Sequence, residues 1–134
     1  MSSVYVRADV GGESYGFPVQ YVTEVCKAGA VTAVPGAPGH LLGVRNLNGS
    51  VVAVASLAAL LGLAGSPAAR LVVCECGSNR LALAVDDVTD VGQLADDLTP
   101  SDSPLLEATV LLDGTLIGIL DLPALLRAAT PLPN

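Results

Sequence analysis

The chain contains an internal repeat, and this feature most limits the folds open to it. Two pairs of segments align without gaps: residues 4–25 with 70–91, and residues 41–62 with 106–127. Gly11 and Gly77 each separate two apolar runs, and Asn48-Gly49 falls opposite Asp113-Gly114 in the same hairpin-turn position. Turns, apolar runs and leucine-rich ends follow one order in both copies. The pattern predicts two similar subdomains, about 1–66 and 67–134, in a single domain.

Composition excludes several classes of partner. The 134 residues suffice for one domain that buries roughly two thirds of its unfolded surface. Thirteen acidic residues oppose six basic ones, of which Lys27 is the only lysine, so the chain lacks the basic cluster that nucleic-acid phosphates require. The same balance disfavours anionic membrane surfaces. The apolar run at 51–64 is shorter than the ~20 residues of a membrane-spanning helix, so no membrane insertion is expected.

Three cysteines and the amino terminus bear on the compartment. An odd number of cysteines without a recognisable leader predicts reduced, mostly buried thiols and a cytoplasmic protein.

The secondary structure predicted for the first copy consists of short strands and two short helices. Residues 4–10 and 13–17 alternate in polarity as strands around a Gly-Gly turn. Pro18 suits the first turn of a helix over residues 19–25, on which Val22 and Val25 would share a face. A Gly/Pro-rich loop over 26–40 leads into a hairpin that turns at Asn48-Gly49, and a helix follows at 57–61.

The second copy repeats this order. Strands 71–76 and 80–85 precede an acidic segment at 86–91, whose Asp86, Asp87 and Asp90 are expected on a solvated helix face. A polar loop that includes Asp96 and Asp97 precedes the hairpin 108–120, and Asp121 is expected to cap the helix 122–129. The join at 62–67 separates the copies, and Pro131 and Pro133 end the ordered chain. The prediction is a mainly β protein built from two small barrels or curled sheets around a shared core.

Few residues in the chain could support catalysis. His40 is the only histidine and lies in the Gly/Pro loop without a recognisable partner. Cys74 and Cys76 are two apart on a predicted strand, so they point to one face and differ from the Cys-x-x-Cys spacing of structural zinc sites. Phosphate-loop and dinucleotide fingerprints are missing. The expectation is a protein without catalytic residues, cofactor or metal.

One stretch carries a family resemblance. Residues 43–62, GVRNLNGSVVAVASLAALLG, resemble the hallmark segment of the CheW family of chemotaxis coupling proteins. The opening hairpin, the proline loop at 34–38 and the segment 82–91 are also similar to that family, in order. The resemblance implies two five-stranded SH3-like β-barrels on a common core. It also implies a non-catalytic signalling adaptor that binds the cytoplasmic tip of methyl-accepting chemoreceptors and the regulatory domain of a CheA-type histidine kinase, in the cytoplasm at receptor arrays.

The resemblance also implies where the receptor binds. The family's receptor-binding groove maps onto Val22, Val25, Gly43 and Asn48, since an apolar face beside a small residue suits a receptor helix. The alternatives are ordinary core packing for the two valines and backbone crowding for Gly43. The kinase-contact residues stay unassigned, because loops near Leu81 and Leu112 fit both a contact and a core.

Two departures from the family leave other functions open. Asn48 stands where the family usually has Arg, and Ser56-Leu57-Ala58 stands where Asp-Leu-Arg is usual. These changes remove a charged contact to a receptor or an internal ion pair. The first alternative is therefore a divergent scaffold that binds kinase or receptor without coupling them, as in a pathway controlling pili. The remote alternative is a small metal or redox protein that uses Cys26, Cys74 and Cys76.

Overall fold

Two β-sheets with short helices make up the protein. The computed structural model describes residues 4–64, 69–93 and 98–129. The strands are β1 Val4–Val10, β2 Glu13–Pro18, β3 Val22–Lys27, β4 Leu41–Leu47, β5 Ser50–Ser56, β6 Arg70–Cys76, β7 Asn79–Val85, β8 Asp87–Gln93, β9 Thr99–Pro100, β10 Leu106–Leu112 and β11 Thr115–Leu120. The helices are α1 Leu57–Leu61 and α2 Leu122–Ala129.

The two repeat copies exchange strands. The sheet orders are β8-β1-β2-β11-β10-β9 and β3-β6-β7-β5-β4. Strand β3 of the first copy pairs with β6 of the second, and β8 of the second pairs with β1 of the first. The parallel pairs β5 with β7 and β11 with β2 cross between copies in the same way. Each sheet therefore contains strands of both copies. The sequence boundary between the two copies is not a boundary between the two sheets.

The core follows from alternation along these strands. In β7, Leu81, Leu83 and Val85 enter a central cluster shared by both sheets, whereas Ala82 and Ala84 enter a cluster that belongs to the five-stranded sheet. The six-stranded sheet has its own cluster on its other face, formed by Tyr5, Val110, Ile117 and Ile119. Both helices contribute leucines to the central cluster. The predicted mainly β architecture, with two sheets around a shared core, is confirmed, and its closure into SH3-like barrels stays a prediction.

Turns and caps repeat with the copies. Asn48 and Asp113 both adopt positive φ, 52° and 49°, in their hairpin turns, as Asn-Gly and Asp-Gly turns require. Ser56 caps α1 by accepting from the Ala59 amide at 3.1 Å. Asp121 caps α2 by accepting from the Ala124 amide at 3.1 Å, which confirms the predicted cap.

The helix predicted over Val19–Val25 is wrong. A single 3-10 turn spans Val19–Tyr21, and Val22 already has extended backbone, φ −94° and ψ 121°. The β-branched residues that follow Tyr21 gain more by pairing with β6 than a short isolated helix would provide.

The solvated helix face predicted around Asp86 is also wrong. Asp87 and Asp90 lie on strand β8. Asp86 joins β7 to β8 and holds the β1–β2 turn, because its carboxylate accepts from the Gly11 amide at 3.0 Å. Within the predicted loop over 26–40, Thr32 forms a single β-bridge with Val44.

Some predictions fall on residues without a description. Pro67 within the join, Asp96, Asp97, Pro131 and Pro133 lie outside the described residues. In the part of the chain that is described, no helix is long and apolar enough to cross a membrane.

Candidate functional site

Val22 and Val25 lie on one face of the edge strand β3, although they are three residues apart. A β-bulge between Val22 and Glu24 adds one residue, Thr23, to the strand. Val22 is therefore opposite Cys74 and Val25 opposite Val72, and both of these partners belong to the central cluster. Val22 packs against that cluster, whereas Val25 is 40% exposed at the edge. The predicted shared face exists, but a bulge rather than a helix creates it.

Strand β8 repeats this arrangement on the other sheet. A bulge at Thr89 puts Val88 opposite Ala8 and Val91 opposite Val6. Val88 packs against the central cluster, and Val91 is 63% exposed. The repeat therefore provides an internal counterpart for each residue of the β3 edge.

Asn48 lies near the carboxylate of Glu24. Asn48 Nδ2 donates to Glu24 Oε1 at 3.5 Å, a long contact. Glu24 is opposite Val73, whose side chain enters the cluster of the five-stranded sheet, so Glu24 points away from the face that carries Val25. Asn48 thus approaches β3 from the opposite side to the two valines.

Gly43 is required by the backbone. Its φ is +149°, and an added Cβ would lie 2.1 Å from the carbonyl oxygen of Thr32. Backbone bonds between Thr32 and Val44, at 2.8 and 2.9 Å, hold the preceding loop against β4 at this point. Crowding therefore accounts for the glycine, and its side-chain position offers no room to a partner.

The four predicted groove residues are consequently divided between surfaces. Val22 and Val25 share the face that adjoins the central core, Asn48 contacts Glu24 on the other side of β3, and Gly43 lies beneath the loop at Thr32. Asn48 and Ser56 lie at opposite ends of strand β5. This strand is about 20 Å long, at roughly 3.3 Å per residue. An ion pair between side chains at positions 48 and 56 is therefore impossible in this fold.

Strands β3 and β4 are the two edge strands of the five-stranded sheet, and a side chain of β4 reaches the end of β3. The Arg45 guanidinium of β4 donates to the carbonyl oxygens of Lys27 and Ala28, at the end of β3. Gly29 makes this approach possible, since an added Cβ would lie 2.8 Å from Arg45 Cζ.

The cysteines and the histidine have structural surroundings. Cys74 is fully buried and Cys76 packs against the same central cluster, as their spacing predicts, whereas Cys26 packs against the cluster of the five-stranded sheet. Burial raises the pKa of the Cys74 thiol to about 12. His40 Nε2 donates to the Ala129 carbonyl oxygen of α2 at 3.1 Å. Across 4–64, 69–93 and 98–129, no three His, Cys, Asp or Glu side chains form a group that could hold a metal ion.

Sequence reasoning missed a second apolar surface, on the β10–β11 hairpin. Leu111 and Leu116 are directly opposite each other, and are 68% and 59% exposed. The phase of alternation could have revealed Leu116, because Ile117 and Ile119 point into the core and residue 116 must face away. Of the two leucines considered for kinase contact, Leu81 is buried and Leu112 is exposed.

The model of the CheW-like domain family matches residues 4–130. The chain belongs to the CheW-like family. It is 31% identical over 127 residues to a probable chemotaxis protein CheW of Rhizobium etli, covering 87% of this chain and 82% of that protein. It is 32% identical over 96 residues to the chemotaxis protein CheW of Rhizobium meliloti, covering 69% of this chain and 62% of that one.

A solved structure agrees with the fold of this CheW-like chain. The crystal structure of the scaffolding protein TtCheW from Thermoanaerobacter tengcongensis matches with a TM-score of 0.83 at 26% identity, covering 91% of this chain and 86% of the other. The family resemblance and the mainly β fold inferred from sequence are thus confirmed.

Proposed function

We propose that this CheW-like protein is a non-catalytic adaptor that couples the cytoplasmic tip of a chemoreceptor to the regulatory domain of a CheA-type histidine kinase. It acts in the cytoplasm, at receptor arrays. The observation that carries the proposal is the family match over residues 4–130, supported by the fold shared with a protein described as a scaffold. Chemotaxis proteins are also its curated relatives.

The proposed receptor contact is the β3 edge with Val22 and Val25. Val25 provides the exposed part of an apolar face that continues into the central core, and a receptor helix can lay its own apolar stripe against such a face. Of the other two groove residues that the resemblance implies, Gly43 lies beneath the loop at Thr32 and Asn48 contacts Glu24 on the other side of β3, so neither belongs to this apolar face.

Binding of the two partners tests the proposal. The purified protein is titrated against the isolated regulatory domain of its cognate kinase and, separately, against a receptor-tip fragment. Saturable binding of both is expected. Val25→Lys should weaken receptor binding at least tenfold, because it places a charge in an apolar contact, and should leave kinase binding unchanged. Val91→Lys is the matched control, since Val91 is the exposed counterpart of Val25 on the other sheet.

Coupling itself needs a kinase assay. Receptor, kinase and this protein are reconstituted, and the rate of kinase autophosphorylation is measured with and without receptor ligand. Ligand control of that rate only when the protein is present supports the adaptor. Binding of neither partner would overturn the proposal.

The second candidate is a scaffold that binds one partner without coupling the two. It is favoured by Asn48, which makes only a 3.5 Å amide contact with Glu24 where the family usually has an arginine. Kinase binding without receptor binding in the wild type, and gain of receptor binding in Asn48→Arg, would support this alternative over the first. The cysteine-based metal or redox alternative gains no support, because its residues do not gather into a donor group within the described segments.

A further inference from the structure

The β10–β11 hairpin carries an apolar surface that the proposed receptor contact does not use. We name it the hairpin surface and define it by Tyr15, Leu106, Leu111, Leu116 and Gly118. Alternation in β11 sends Ile117 and Ile119 to one face, so Leu116 and Gly118 lie on the other. Leu111 is opposite Leu116, and Tyr15 is opposite Gly118 on the neighbouring strand β2. One contiguous side of the sheet therefore presents these side chains.

A depression of about 100 Å³ lies within the hairpin surface. Its lining residues are Glu13, Ser14, Tyr15, Leu106, Thr109, Leu116 and Gly118. Tyr15 and Leu106 lie close to Gly118, because an added Cβ there would be only 3.2 Å from both the Tyr15 ring and Leu106 Cδ1. The volume exceeds the roughly 30 Å³ that one water occupies in the liquid. There is consequently room for one small aliphatic side chain.

The charged side chain in the lining of the depression is acidic, and the Arg7 guanidinium donates to the hydroxyl of the lining residue Ser14 at 3.3 Å. Glu13 belongs to the lining, and the lining contains no Lys, Arg or His. Burial and the Glu13 carboxylate both raise the pKa of the Tyr15 phenol, as expected if that carboxylate lies close to the ring. Asp113 lies at the hairpin tip, beside Leu112. The whole chain has a formal net charge of −7, so a second copy would bring like charge to this surface.

We propose that the hairpin surface binds a basic protein segment, which places one aliphatic side chain in the depression and a Lys or Arg beside Glu13. Exposed leucines supply the apolar contact, and the Glu13 carboxylate, which has no basic side chain beside it in the described lining, selects the charge of the segment. The site is separate from the β3 edge, and the proposal does not depend on the adaptor function.

The test uses three twelve-residue peptides and methyl NMR of the full chain. The first peptide has one central Leu flanked by three Lys in an Ala/Ser/Gly background. The second replaces its Leu with Asn, and the third replaces its Lys residues with Glu. Only the first is expected to produce saturable shifts, and these should centre on the methyl groups of Leu106, Leu111 and Leu116.

Matched variants locate the binding. Leu116→Ser should lower the affinity for the first peptide at least tenfold, whereas Val51→Ser should change that affinity less than twofold. Val51 is the repeat counterpart of Leu116 and is 71% exposed, so neither change disturbs the core. Glu13→Gln should weaken binding about threefold and reduce its dependence on salt.

Three results would overturn the inference. The first is equal affinity for the Lys and Glu peptides. The second is an equal loss of affinity for the first peptide in Leu116→Ser and Val51→Ser. The third is a set of methyl NMR shifts that centres on Val22 and Val25. Failure of the receptor and kinase titrations would leave this outcome unaffected, so the two proposals fail separately.

Discussion

Thr23 and Thr89 are the extra residues of two equivalent β-bulges. Thr23 Oγ1 donates to the Val73 carbonyl oxygen at 3.2 Å, and Thr89 Oγ1 donates to the Arg7 carbonyl oxygen at 3.5 Å. Residues 7 and 73 occupy the same position in the two copies, so the hydrogen bond is repeated together with the fold. In each sheet the bulge turns two valines, three residues apart, toward the central core.

Replacing either threonine with valine tests the role of its hydroxyl group. Valine keeps the β-branched shape and the strand preference but cannot donate, so Thr23→Val should lower the free energy of unfolding by about 1 kcal/mol. Thr89→Val should lower the free energy of unfolding by less than Thr23→Val does, because the hydrogen bond of Thr89 is longer. Urea unfolding measures both. Thr23→Ser keeps the hydroxyl and serves as the control, and a greater loss in Ser than in Val would contradict this account.

Gly43 should tolerate no side chain. Gly43→Ala places a methyl group 2.1 Å from the Thr32 carbonyl oxygen at a φ of +149°, so the free energy of unfolding should fall by at least about 3 kcal/mol. Gly36→Ala is the control, since Gly36 has a φ of +76° and open space around it. It should cost about 1–2 kcal/mol through backbone strain alone. A Gly43→Ala protein of native stability that fails to bind receptor would show that Gly43 acts by direct contact.

The repeat, the hairpins and both leucine-rich helices could be predicted from the sequence, because their signals are local. Asn-Gly and Asp-Gly turns fix the β4–β5 and β10–β11 hairpins through positive φ, and Ser56 and Asp121 mark helix starts. The helix prediction for residues 19–25 failed because the deciding interaction is not local. Its periodicity fits a helix, and only pairing with β6, far along the chain, makes it a strand.

The candidate site was harder to predict than the fold. The family resemblance and the predicted helix both placed Val22 and Val25 together, but the sequence did not reveal the bulge that turns both toward one face. Strand exchange between copies also has no local signal, since β1 could pair with β8 or with another strand of similar composition. Leu111 and Leu116 were not singled out, because their exposure depends on which face of β11 carries Ile117 and Ile119 into the core.

The contact between Asn48 and Glu24 predicts how restoring an arginine would affect stability. Asn48→Arg introduces an ion pair worth about 0–1 kcal/mol, and it also puts a residue without asparagine's tolerance for the left-handed region at a φ of 52°, which costs about 1–2 kcal/mol. The free energy of unfolding should therefore stay level or fall by up to about 2 kcal/mol. A double-mutant cycle with Glu24→Gln isolates the pair. Coupling that is zero at low salt would show that position 48 does not reach Glu24.

Cys74 should make stability fall at high pH. Burial raises its thiol pKa from 9.0 to about 12, so the unfolded chain releases this proton at a lower pH than the folded chain does. The contribution of Cys74 is complete below pH 9.0 and is lost as the pH rises toward about 12. The free energy of unfolding is measured by urea titration at intervals across that window, for the wild type and for Cys74→Ala.

The variant separates the thiol from the other groups that titrate at high pH. Cys74→Ala should be less stable than the wild type at pH 8, because it leaves a cavity in the central core. The difference between the two proteins should then shrink as the pH rises, since only the wild type loses stability through Cys74. Native-state alkylation at pH 8 provides a second readout, in which Cys26 and Cys76 react before Cys74, the one of the three that is fully buried. A constant difference across the window, or early alkylation of Cys74, would mean that its side chain is open to solvent.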